Sequence, residues 1–140
     1  MCGIAGIINT NRPADTSLLA EMLRRIRHRG PEDDGQWVSR SGQVALGQGR
    51  LKIIDLSPGG HQPMVSGDGR FVITFNGEIY NYRELKQELI GLGRSFKTQS
   101  DTEVLLMSYI EWGGKCVDKL NGMFAFAVWD ARAQRLFVAR

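Results

Sequence analysis

Apolar residues recur along the chain with two different periods, and the changes of period mark its elements. Residues 2–9 form a short, continuous apolar run rich in isoleucine, which predicts a buried strand. Leu18, Leu19, Met22, Leu23 and Ile26 return at helical spacing, and Gly30-Pro31 stops that helix. Residues 37–40, 44–46 and 51–55 read as strands parted by Gly and Ser turns. Residues 57–69 hold two Pro and four Gly and predict a loop, and the Val, Ile, Thr and Phe content of 70–75 predicts a strand after it.

Helical signals return at Asn81, with Glu84 three residues on, Tyr82, Leu85 and Leu89 on one face, and Gly91 and Gly93 as the stop. Ser100-Asp101-Thr102-Glu103 has the form of a capping box ahead of the apolar run 104–110. Residues 123–129 are strongly strand-like, 130–134 read as a turn, and 136–139 begin a further strand. That last strand is unfinished at Arg140, which predicts a fragment of a longer chain. The order is strand, helix, several strands, two helices and a hairpin. It predicts an α+β sandwich with helices packed on largely antiparallel sheets.

Length and composition narrow the class. The chain has 140 residues, enough for one domain that buries roughly two thirds of its unfolded surface. Hydrophobic residues make up 42% and charged residues 24%, an ordinary globular balance, and the formal charge is +3. Arg24, Arg25, Arg27 and Arg29 are the one basic cluster and read as a solvated helix face, so no nucleic-acid partner is expected. No apolar run approaches the ~20 residues that span a bilayer, and no membrane partner is expected. The apolar start lacks a charged leader and is not a signal peptide. Cys2 and Cys116 form neither a disulfide scaffold nor a metal-ligand spacing, and a free thiol near the N-terminus implies a reducing, cytoplasmic setting.

Several residue types carry chemistry. If Met1 is removed, Cys2 places a thiol beside an α-amine whose pKa near 8 makes it a base at neutral pH. Nucleophile and base then belong to one residue. The plainer reading is a small buried residue in an N-terminal strand. Asn76-Gly77-Glu78 directly follows the 70–75 strand. It is either a simple turn or a pair of oxyanion donors with a carboxylate for an ammonium group. Arg50 offers the fork that matches a carboxylate, although by itself it reads as an exposed strand-edge arginine. Asp101 by itself is a cap-region acid. Together, a thiol, two oxyanion donors, an arginine and two acids match what an α-amino acid amide requires. His28 and His61 have no Asp or Asn partner nearby in the sequence, so a Cys-His pair has little support. Cys116 reads as core, and no GxxxxGK phosphate loop occurs.

The spaced motifs, taken in order, resemble one family. They are Met1-Cys2-Gly3-Ile4-Ala5-Gly6, His28-Arg29-Gly30-Pro31, Arg50-Leu51 with Ile54-Asp55, Gly60-His61-Gln62-Pro63-Met64, Asn76-Gly77-Glu78-Ile79-Tyr80-Asn81, Ser100-Asp101-Thr102-Glu103 and Asn121-Gly122-Met123-Phe124-Ala125-Phe126. The chain is similar to the N-terminal glutaminase domain of glutamine-hydrolysing asparagine synthetases, which are class II, N-terminal-nucleophile amidotransferases. The resemblance implies a four-layer αββα fold over residues 1–140, with the last strands and the synthetase domain absent. It implies Cys2 as nucleophile and Asn76 and the Gly77 backbone as oxyanion donors. Arg50, Leu51, Ile53, Ile54, Glu78 and Asp101 would bind L-glutamine: Arg50 its carboxylate, Glu78 and Asp101 its amino group. Lys52 stands where the family often has a small residue. The resemblance implies no cofactor in this chain, with ATP and Mg used by the synthetase domain, aspartate as ammonia acceptor, and a homodimer for the full-length enzyme. Two alternatives stay open: a sugar or polysaccharide acceptor, and a non-catalytic glutamine-binding or regulatory module.

Overall fold

A computed structural model describes residues 2–140. The expected loss of Met1 concerns a residue outside that range. Among the described residues the chain forms β1 (Gly3–Ile8), α1 (Thr16–Arg25), β2 (Asp33–Val38), β3 (Val44–Arg50), β4 (Met64–Val65), β5 (Phe71–Ile79), α2 (Tyr82–Gly91), α3 (Asp101–Trp112), β6 (Gly122–Asp130) and β7 (Arg135–Ala139). Short 3-10 turns lie at Arg27–Arg29, Pro58–Gly60 and Gly113–Lys119.

The strands make two antiparallel sheets, one ordered β1-β3-β2 and one ordered β4-β5-β6-β7. Alternation along β3 explains how they stack. Ala45 faces α1, where it packs with Leu19, Leu23 and Ala14. Val44 and Leu46 face the other sheet and meet Val72 and Trp129. Polar cross-links tie the two sheets: Gln48 Nε2 donates to the Phe75 carbonyl at 2.8 Å, and Thr74 Oγ1 donates to the Gly47 carbonyl at 3.2 Å. On the outer face of the second sheet, Phe71, Ile73, Phe75 and Phe126 pack against Leu85, Leu89, Leu105 and Tyr109 of α2 and α3. Each fully buried Leu there contributes about 2 kcal/mol of hydrophobic free energy. The layers are therefore helix, sheet, sheet, helices, which is the expected αββα order.

Local rules account for the ends of the elements. Asp15 Oδ1 accepts the Leu18 N–H at 2.9 Å and starts α1. Asp130 is almost fully buried at the β6–β7 turn, where it takes a two-point pair from Arg70 (Nε–Oδ1 3.0 Å, Nη2–Oδ2 2.6 Å). That guanidinium holds the Asp130 carboxyl well below the usual carboxylate range.

Four sequence expectations need correction. Residues 51–55 form no strand, because Leu51, Ile53 and Ile54 line a cavity instead of pairing. The strand expected over 70–75 runs on to Ile79, so Asn76-Gly77-Glu78 lies within β5, in register with Ala125, Phe124 and Met123. Ser100 does cap α3, accepting from Thr102 N at 3.2 Å. Glu103, however, accepts from Lys97 N and Thr98 N and does not close a box with Ser100. Arg50 is no exposed edge residue: it ends the central strand β3 with 5% of its surface exposed.

Candidate functional site

A cavity opens where β1, the end of β3, the middle of β5 and the start of α3 converge. Its walls include Cys2, Arg50, Leu51, Ile53, Ile54, Gly77, Glu78 and Asp101. Eight of the nine site residues expected from the sequence thus meet in one place. Asn76 is the exception. It sits between two wall residues, Phe75 and Gly77, but its own side chain does not line the cavity, and its Oδ1 is buried without a hydrogen-bond partner among the described residues. A buried amide oxygen left unpaired costs about 1–3 kcal/mol.

Cys2 immediately precedes β1. Its half-buried Sγ accepts the Leu51 N–H at 3.3 Å and lies 3.5 Å from the Leu51 carbonyl, to which the thiol can donate. Arg29 holds the same residue from behind, its Nε donating to the Cys2 carbonyl at 3.0 Å. Cys116 is the opposite case. It is 0% exposed in the helix-side core, and burial, with Asp118 nearby, pushes its thiol up to about 11. It is inert packing.

The cations and anions of the cavity are separated. Arg50 donates through Nη1 to the Ser57 carbonyl at 3.2 Å and through Nη2 to the Asp55 carbonyl. Asp55 fastens that loop, accepting from Ser57 N at 2.8 Å and Gln99 N at 3.2 Å. Lys52 also ties it down through its backbone, donating to Glu32 Oε2 at 2.6 Å. Gln62, which the sequence reading did not single out, is 4% exposed and also lines the cavity. Its Oε1 accepts from Phe75 N at 2.7 Å and its Nε2 donates to Thr102 Oγ1 at 3.0 Å, so it joins the loop to β5 and α3.

Asp101 starts α3 and accepts the Ile79 N–H at 3.1 Å. Burial pushes its carboxyl up to about 6 from 3.8, and the charge of Glu78 adds to this, against backbone hydrogen bonds that pull it down. The sign for stability follows. Between about 4 and 6 the folded chain binds a proton that the unfolded chain does not, so stability falls as pH rises through this window, by about 3 kcal/mol in full. Urea midpoints of wild type and Asp101→Asn should converge near pH 4, and above pH 6 the variant should be the more stable. A constant difference across pH would refute this account of Asp101.

His28 is exposed in the middle of the first 3-10 turn. His61, without a partner in the local sequence, finds one across the fold: its Nδ1 lies 3.0 Å from Asp33 Oδ2. Among the described residues no helix is long and apolar enough to cross a membrane.

With this geometry in hand, similarity to known proteins becomes informative. A family model described as a glutamine amidotransferase domain matches residues 1–140. The chain is 43% identical over its whole length to asparagine synthetase [glutamine-hydrolyzing] 3 of Bacillus subtilis, covering 23% of that protein. It is 38% identical to the root asparagine synthetase [glutamine-hydrolyzing] of Pisum sativum, again over all of this chain and 24% of the relative. It therefore spans about a quarter of the length of these curated relatives. Among solved structures, the glutamine phosphoribosylpyrophosphate amidotransferase of B. subtilis superposes with a TM-score of 0.76 over 91% of this chain and 35% of that one, at 22% identity, which bears on the fold alone.

Proposed function

We propose that this chain, which belongs to the glutamine amidotransferase domain family, hydrolyses L-glutamine to glutamate and ammonia through Cys2, as the glutaminase half of an asparagine synthetase-like enzyme. The observation that carries the reading is the convergence on one cavity of a thiol, a buried guanidinium and two carboxylates. Glutamine presents an amide, a carboxylate and an ammonium, and each meets a complementary group.

The steps follow from that match. Arg50 receives the α-carboxylate, and Glu78 and Asp101 receive the α-ammonium. Leu51, Ile53 and Ile54 flank the aliphatic stem. The α-amine of Cys2, freed once Met1 is removed, takes the thiol proton. Sγ then adds to the side-chain carbonyl carbon. The tetrahedral oxyanion accepts hydrogen bonds from Asn76 Nδ2 and the Gly77 N–H, and such a donor is worth about 3 kcal/mol in the transition state. The C–N bond breaks, the amine returns its proton to the leaving nitrogen, and ammonia departs. Water hydrolyses the thioester to glutamate and restores Cys2.

Ammonia would pass to a synthetase domain that activates aspartate with ATP and Mg. In this reading ATP and Mg belong to that second domain, and no step above runs through them. A homodimer and a cytoplasmic setting complete the proposal, the latter supported by two free cysteines.

The test is an intact-mass spectrum after incubation with a diazo-ketone analogue of glutamine, beside an assay for glutamate released from glutamine. One adduct mapping to Cys2, on a chain lacking Met1 that also releases glutamate, is the expected result. Retention of Met1 with neither adduct nor glutamate overturns it.

A further inference from the structure

We propose that His61 is a positioning residue that keeps Asp33 from closing on Arg50, and so leaves the guanidinium available to the substrate carboxylate; this rests on the glutaminase reading above. Asp33 and Arg50 are direct cross-strand partners where β2 begins and β3 ends, so their side chains rise from one face of the sheet. Opposite charges at such a site ordinarily collapse into a hydrogen-bonded pair. Here they do not. Arg50 Nη1 stands 3.8 Å from Asp33 Oδ2, an ion-pair separation too long for a hydrogen bond. The same oxygen lies 3.0 Å from His61 Nδ1. One carboxylate oxygen is thus shared between a solvent-facing imidazole, 51% exposed, and a guanidinium that is 7% exposed.

The surroundings hold this arrangement. Asp33 is the only carboxylate within ion-pair distance of Arg50 among the described residues. The Ser57 and Asp55 carbonyls take one hydrogen from each terminal nitrogen of the guanidinium, leaving the others free among the described residues. Those carbonyls belong to the loop that His61 closes. Gly60 lies flat on the guanidinium, where a Cβ would collide with Nη2. Gly35 of β2 makes room for the imidazole, since a Cβ there would come within 2.7 Å of His61 Nε2. Without His61, Asp33 regains a free oxygen beside a poorly solvated cation. The two-point pair then becomes the favoured state, and it competes directly with the ligand carboxylate.

The experiment compares glutamine with γ-aminobutyramide, which keeps the amide and the ammonium and lacks the α-carboxylate. His61→Ala should raise KM for glutamine about tenfold with kcat nearly unchanged, and leave KM for γ-aminobutyramide where it was. His61→Gln, which keeps a donor for Asp33, should behave as wild type. Adding Asp33→Asn to His61→Ala removes the capturing charge and should restore KM for glutamine. Equal increases for both amides would reveal a merely structural role and overturn the proposal. So would an unchanged glutamine KM in His61→Ala, or failure of Asp33→Asn to restore it. Thermal midpoints confirm that each variant is folded. A wild-type chain that hydrolyses neither amide would refute the glutaminase reading itself, and this inference with it.

Discussion

Cys2→Ala should abolish glutamine hydrolysis, lowering kcat by roughly 10⁴-fold or more, while the chain stays folded and still binds glutamine. The size of the effect follows from where the chemistry sits. Without the sulfur there is no thioester, and the remaining donors can only orient glutamine for attack by bulk water. Folding should hardly notice. Cys2 is half-buried and, among the described residues, its Sγ hydrogen-bonds only with the backbone of Leu51, so the loss lies within about 1 kcal/mol. Cys2→Ser sharpens the test, because it keeps the shape and the hydrogen bond but replaces a thiol with a hydroxyl that ionises far above neutral pH. It too should be nearly inactive. Cys116→Ala is the control. That thiol is sealed in the core and pushed up to about 11, so its removal should leave kcat intact and cost only packing. Steady-state release of glutamate measures all three. A Cys2→Ala enzyme within tenfold of wild type would end the nucleophile assignment, and an inactive but folded Cys116→Ala would move it to the other cysteine.

The expectations that held are those resting on period. The α1 stripe of Leu19 and Leu23, the α2 stripe of Leu85 and Leu89, and the 123–129 run each produced the expected element. The failures have physical causes. The 51–55 run is apolar because it walls a cavity, and burial against a ligand site leaves the same sequence mark as burial in a sheet. β2 begins at Asp33 and Asp34, a poor strand signature, but it is an edge strand, where charge is tolerated and blocks further pairing. Asn76-Gly77 looks like a turn because its composition is that of a turn. The register with β6 overrides it.

The residues that meet in the cavity were legible as short motifs, whereas their juxtaposition depends on long-range pairing. Arg50 illustrates the limit. Its guanidinium chemistry was readable, but its burial and its cross-strand contact with Asp33 were not, since they come from the β2–β3 register. His61 is the stronger example, because its partner lies 28 positions away and no local pattern links the two. Gln62 gave no signal beyond its place in a motif. Its role as a strut between loop, strand and helix needs all three in place.

Gly77→Ala should destabilise the chain by about 2–4 kcal/mol and remove glutaminase activity as well. Gly77 has φ +155°, a backbone angle that residues with a side chain rarely adopt. A Cβ at that position would overlap the Met123 carbonyl oxygen and come within 2.7 Å of Phe124 Cα. Both atoms are backbone of the paired strand, so no rotamer change relieves the clash. Relief requires β5 to move off β6, along a ladder that runs from Phe71 opposite Asp130 to Ile79 opposite Gly122. That shift would carry with it the Gly77 N–H, the Asn76 amide and the Ile79 N–H that Asp101 accepts. Stability and catalysis are therefore coupled at this residue, unlike at Cys2, where only catalysis is at stake. Gly91→Ala provides the contrast. It lies in the last turn of α2 with nothing near its Cβ position, so alanine there should be neutral or stabilising by up to about 1 kcal/mol. Urea midpoints and glutamate release on both variants decide the matter. A Gly77→Ala chain with wild-type stability would mean that the β5–β6 ladder can open at its centre without cost, and the rigid oxyanion site built on it would have to be abandoned.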